Sequence, residues 1–267
     1  MAIGTFPFGE SVHLVEQEDT TGAKDVFVLG VYSSAVHAKW LDVHGKTVVR
    51  ALAVASEPSI FWRGEDVEDI LAGIEIPAEL GSLVPAASNL NGPSGNALDT
   101  HFLAPLGLDR DRAWLCDLVP HSCVNPGQAR AIGREYRPLM QQYNLPEPTV
   151  PEVPKSLADD ERRDAILAEL LTSEAPVLIT LGDEPLKWFV SPLCDRECGK
   201  KLSTFGDDPE TYGRLHDIDI DGSSFKLLPL VHPRQAARLG AHSASWASLH
   251  EHWLDEVAAN LLRVTGL

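Results

Sequence analysis

Five short apolar runs, each too short for a helix and each followed by a polar segment, constrain this chain more than any other feature. They are "DVFVLGVY" (25–32), "TVVRALAVA" (47–55), "AWLCDLV" (113–119), "APVLITLG" (175–182) and "FKLLPLVH" (225–232). Their length and β-branched content mark buried strands. Amphipathic patterns lie among them: "GEDVEDILAGI", "SGNALDTHFLAPLGL", "SLADDERRDAILAELLTSEA" and "SASWASLHEHWLDEVAANLLRVTGL". In the third, Ser156 is the expected N-cap and Ile166, Leu167, Leu170 and Leu171 the inward stripe. In the fourth, Trp246, Leu249, Trp253, Val257 and Leu261 are expected to face inward. Buried runs alternating with such helices predict an α/β fold: three α/β/α layers around a central, mainly parallel sheet. "AKWLDVHGKTVVRALAVA" alternates around the turn signal "DVHGK" and reads as a β-hairpin inserted after the first strand. The first run is expected to break at Gly30. "YNLPEPTVPEVPKS" reads as an extended connector.

The 267 residues suit one domain, residues 1–267, with insertions at about 38–56 and 188–222. No apolar run is long enough to span a membrane, and "MAIGTFPFGESVHL" lacks the basic start and apolar core of a signal peptide. The expectation is a cytoplasmic protein with no membrane partner. The net charge of −17 opposes non-specific nucleic-acid binding. A local basic face remains open through Arg110, Arg112, Arg130, Arg134, Arg234 and Arg238. Cys116, Cys123, Cys194 and Cys198 lack zinc-ribbon spacing. Reduced, unlinked thiols are the first expectation; a four-cysteine metal site and a disulfide are the alternatives. His250 and His252 are two residues apart, do not share a helix face, and are read as non-metal. No cofactor and no metal is expected.

Ligands of parallel sheets bind at the carboxyl ends of the strands. Gly30, Asp117, Gly182 and His232 all fall at or near such ends. Gly30, Ser33, Asp117 and His232 are therefore expected to line one crevice.

The order of landmarks resembles the uracil-DNA glycosylase superfamily from about Asp25 onward. It runs "VFVLGVYSSAVH", then "LNGPSGNALDTHFLAPLGL", then "DRAWLCDLVPHSCVNPGQ", then "VLITLGDEPLKWF", then "LLPLVHPRQAARLG" and a C-terminal helix. The resemblance implies hydrolysis of the N-glycosidic bond of a damaged or deaminated base, with DNA or a nucleotide as partner. It gives His232 the role of donor to the leaving base. It gives the first loop, Gly30 to His37, the task of holding the attacking water. That loop has no carboxylate or amide, only Tyr32, Ser33, Ser34 and His37, so Ser33 and His37 are the catalytic candidates beside His232. Uracil excision is accordingly expected to be weak or absent. Asp117 stands where the family reads the base with Asn. A carboxylate only accepts, which suits a base edge carrying an exocyclic amine. Phe61 and Trp62 are candidates to stack on the base, with Val54 nearer the family's position. Arg234 replaces the family's phosphate-binding Ser, and Arg238 lies just beyond. Tyr32, Ser34 and Gly30 complete the expected ligand contacts.

Two other readings stay open. One is a non-catalytic nucleotide- or small-ligand-binding protein that retains the glycosylase fold. The other is an unrelated doubly wound enzyme, though no G-x-S-x-G, P-loop or G-x-G-x-x-G motif supports it.

Overall fold

The computed structural model describes residues 3–17 and 21–261. Among them ten strands run in chain order: β1 (Gly4–Thr5), β2 (Ser11–Val12), β3 (Val26–Tyr32), β4 (Ala35–Leu41), β5 (Thr47–Ser56), β6 (Ser82–Pro85), β7 (Ala113–Val119), β8 (Val177–Leu181), β9 (His216–Ile220) and β10 (Ser223–Leu230). The helices among them include α1 (Val67–Ala72), α2 (Pro93–Leu98), α3 (Pro126–Ala131), α4 (Asp160–Thr172), α5 (Pro233–Ala236) and α6 (Ala244–Glu256). The protein is mixed α/β, and its chain divides into two compact units.

The parallel-sheet unit comprises Gln17–Val31, Ser94–Val119 and Ser156–Leu267. Its sheet has the order β7-β3-β8-β10-β9. β3 and β10 both pair in parallel with β8, through Val26↔Val177 and Leu230↔Leu181 among others. The Asp25 N–H donates to the Arg112 carbonyl just ahead of β3 and β7, so these two strands start side by side and run the same way. Every residue of β7 and β8 is buried, as strands covered on both faces require. The exception to parallel pairing is β9, antiparallel to β10 across the Asp221–Gly222 turn. It lies in a stretch read from the sequence as an insertion. Its pattern "HDIDI" carries acidic residues, which suit an edge strand and hide a strand signal.

Four local expectations change. β3 runs through Gly30 to Tyr32 without a break, because Gly30 does not adopt positive φ. α4 is capped by Asp159, not Ser156: the Asp159 carboxylate accepts the Arg162 N–H at 2.9 Å. Leu171 is 49% exposed, so the inward stripe is Ile166, Leu167 and Leu170. In α6 the fully buried positions are Ala247, His250 and Trp253, while Trp246 and Leu249 are only half-buried. Val257 is buried, Leu261 is half-buried, and the expected helix from residue 262 onward lies outside the described residues.

The hairpin unit comprises Met1–Glu16, Tyr32–Pro93 and Pro120–Lys155. The expected hairpin is there: β4 pairs antiparallel with β5 from Ala35↔Ser56 to Leu41↔Thr47, and β6 extends the sheet on the other side of β4. The turn is held by the Asp42 carboxylate, which accepts from His44 and Lys46 N–H at 2.9 Å each. The unit's core gathers Trp40, Leu52, Val54, Trp62 and Tyr136 around Phe8. Phe8 meets Trp40 and Tyr136 edge-on, with ring centroids 5.4 and 5.0 Å apart. The Tyr136 hydroxyl accepts from Phe8 N–H and donates to the Pro146 carbonyl, 3.0 Å each, which ties the proline-rich connector down.

Candidate functional site

In the parallel-sheet unit the strand ends carry the candidate residues. β10 leaves the sheet after Leu230, and His232 becomes the N-cap of α5. Its Nδ1 accepts the Arg234 N–H at 3.2 Å. A ring nitrogen that accepts carries no proton, so the neutral ring must bear its hydrogen on Nε2. The ring is half-buried, and desolvation, assisted by the Arg234 charge, lowers its pKa to about 4. His232 is thus a neutral N–H donor throughout the physiological range. Capping the helix and donating from the strand end are compatible, because the cap is what fixes the tautomer.

Gly182, just beyond β8, supports this edge. Its N–H donates to the Leu230 carbonyl at 2.8 Å. At φ +90° it takes a conformation that disfavours side chains, and a Cβ there would lie 3.4 Å from the His232 Cβ. Gly30 shares the row of Leu181 and Leu230 in the register, one step past Leu29↔Thr180. Asp117, 4% exposed, lies on β7, three strand spacings from β10, or about 14 Å. Its neighbours Trp114 and Cys116 face α4: Trp114 Nε1 donates to Glu169, and Arg162 donates to Cys116 Sγ. Alternation then directs the Asp117 side chain to the opposite face of the sheet. Arg162 also donates to the carbonyls of Asp117 (2.7 Å) and Leu118 (3.2 Å), which stiffens the end of β7.

The arginines divide. Arg238 adopts φ 52° and forks onto Glu251 with bonds of 3.0 and 2.9 Å. Arg110 pairs with Asp99, Arg112 with Asp25, and Arg134 with Glu135. Arg234 is exposed beside the cap that His232 makes.

In the hairpin unit, the loop between β3 and β4 is only Ser33 and Ser34. Ser33 is 2% exposed; Tyr32 and Ser34 are exposed. The Ser34 carbonyl accepts a hydrogen bond from the buried Ser122 hydroxyl. His37 is not a loop residue. It lies within β4, where the Asn91 side chain brackets its backbone, accepting from His37 N–H at 2.8 Å and donating to its carbonyl at 2.9 Å. Burial, opposed by the Leu90 and Ala35 backbone, lowers the His37 pKa, and its Nδ1 is buried without a hydrogen-bond partner. Phe61 is buried at φ 51°, a strained position for an aromatic residue. Trp62 and Val54 belong to the core of the unit, which removes both as stacking platforms.

One residue passed over in the sequence stands out here. Glu57 is only 5% exposed, and a carboxylate so deeply buried is uncommon outside functional or paired positions. Ala35 faces Ser56 in the register, and Glu57 is the first residue beyond β5. The signal was present: "ASEPS" ends an apolar run on a polar residue followed by proline, the same grammar as "VHP".

Cys194 and Cys198 form a disulfide, which corrects the expectation of unlinked thiols for that pair. Cys116 and Cys123 are free and buried. Burial pushes both thiols up, Cys123 to about 11, so neither is a ready nucleophile. Among the described residues no group of three or more His, Cys, Asp or Glu is placed to hold a metal ion. No helix of the described residues is long and apolar enough to cross a membrane. Two clefts of the hairpin unit flank the start of α3 and share Asn125, and no residue with an assigned catalytic or ligand role lines either. No protein-family model and no curated protein matches this chain.

Proposed function

We propose that this protein is a uracil-DNA-glycosylase-like hydrolase of an N-glycosidic bond, with the three-layer α/β/α arrangement of that family. The observation that carries the reading is His232: a neutral imidazole at a strand end, with Nδ1 occupied by the Arg234 N–H and Nε2–H left to donate. Breaking the bond between the sugar C1′ and the base nitrogen leaves the electron pair on the base. A fixed neutral donor stabilises that developing charge without first having to give up a proton. Water supplies the oxygen that bonds to C1′, and a base takes its proton. Asp117 accepts from an exocyclic amine on the base, and Arg234 contacts phosphate.

The test is base excision from single- and double-stranded oligonucleotides carrying uracil, hypoxanthine or xanthine, read as strand cleavage at the abasic product. Wild type is expected to excise at least one of them and His232→Ala to be slower by about 10² or more. Absence of excision on all three, with oligonucleotide binding intact, would overturn the hydrolase in favour of a binding protein.

A further inference from the structure

The strand that delivers His232 is held at its last residue by a chain of buried groups that the glycosylase reading does not use. β10 makes its final sheet pair at Leu230↔Leu181, and the Leu230 carbonyl goes to Gly182. The N–H of Val231, immediately before His232, donates instead to the Tyr212 hydroxyl at 3.0 Å. That hydroxyl has one hydrogen, and it points to His250 Nδ1, 2.8 Å away. His250 Nε2 must then carry the ring proton, which it donates to the His101 carbonyl at 3.0 Å. The direction of every bond is determined, from Val231 through Tyr212 and His250 to His101.

The surroundings fix the chain rigidly. Tyr212 and His250 are both buried. His250 stacks on Trp253, with ring centroids 5.1 Å apart, and packs against Phe102 at 4.7 Å. Trp253 Nε1 donates to the Gly213 carbonyl at 3.0 Å. Gly213 adopts φ +66°, and a Cβ there would stand 2.3 Å from Trp253 Cδ1, so only glycine lets the Tyr212 turn come this close. A phenylalanine and a leucine would fill the same volume without the penalty of burying polar groups. What the hydroxyl and imidazole add is a fixed partner for the backbone N–H next to His232.

We infer that Tyr212 and His250 are positioning residues, whose hydrogen-bonded chain to Val231 N–H sets where the His232 ring points. This rests on the reading of His232 as the donor to the leaving base. Loss of the chain frees the Val231–His232 peptide and loosens the cap that holds Nδ1 against the Arg234 N–H.

The experiment is side-chain ¹⁵N NMR of histidine-labelled protein between about pH 5 and 8, with excision kinetics on the same samples. The variants are Tyr212→Phe, His250→Phe and His250→Gln. Wild type is expected to show His232 as a single Nε2–H tautomer. Tyr212→Phe and His250→Phe keep the rings but lose the chain, and are expected to show averaging between tautomers. Their kcat should fall by up to about 100-fold with KM little changed. His250→Gln keeps an acceptor and a donor and should restore the wild-type spectrum. It also carries the comparison with His250→Phe if Tyr212→Phe does not fold. His232 resonances that superimpose on wild type in both ring-preserving variants would overturn the inference, whatever their stability. A shifted tautomer in a protein that excises no base would uphold the positioning role while the hydrolase reading falls.

Discussion

His250 makes a pH-dependent contribution to stability whose size follows from its burial. It is fully buried, and desolvation lowers its pKa from the ordinary 6.5 to about 4, against the opposing pull of the His101 carbonyl. Below 6.5 the unfolded chain binds a proton at this residue that the folded protein refuses, so stability falls as the solution is acidified through that window. The contribution is complete above 6.5 and fully lost below about 4. At about 1.4 kcal/mol for each tenfold difference in proton affinity, the whole effect is about 3 kcal/mol. At pH 5 about 2 kcal/mol of it is already gone. That is a sizeable part of the 5–15 kcal/mol typical of a folded protein. The assay is urea unfolding of wild type and His250→Gln at about pH 7.5 and pH 5. Gln cannot take up the proton, and groups elsewhere titrate alike in both proteins. Wild type should therefore lose about 2 kcal/mol more than the variant over this interval. Equal losses would refute a buried, neutral His250 and with it the directed chain through Tyr212.

Arg234→Ala should weaken oligonucleotide binding and flatten its salt dependence by about one phosphate contact. Arg238→Ala should leave both unchanged, because its guanidinium is already engaged by Glu251; parallel titrations at two salt concentrations check the pair. Arg162→Ala removes the hydrogen bonds to the Asp117 and Leu118 carbonyls and should cost about 1–3 kcal/mol in denaturant unfolding.

What the linear order of residues determined was the character of the sheet strands and the positions of their ends. Burial on both faces favours a mostly apolar run, and all seven residues from Ala113 to Val119, Asp117 included, are buried. The β4–β5 hairpin was equally legible, because "DVHGK" carries its turn chemistry locally. His232 could be picked out because the apolar run gives way there to a polar residue followed by proline and a basic, polar segment. Other features were decided only when distant segments met. The Asp159 cap depended on a register one turn later than the earliest candidate, a choice made by which side chains α4 buries. The disulfide needed Cys194 and Cys198 to be folded onto each other beside β9, where Cys194 bridges Ile220. The burial of Glu57, one residue past the Ala35↔Ser56 pair that closes β5, appears only once the chain is folded. The buried chain from Val231 through Tyr212 and His250 to His101 joins residues up to 149 positions apart. No periodicity records such a chain, because a hydrogen bond is specified by distance and direction in space, whereas sequence patterns record only which face of an element meets water.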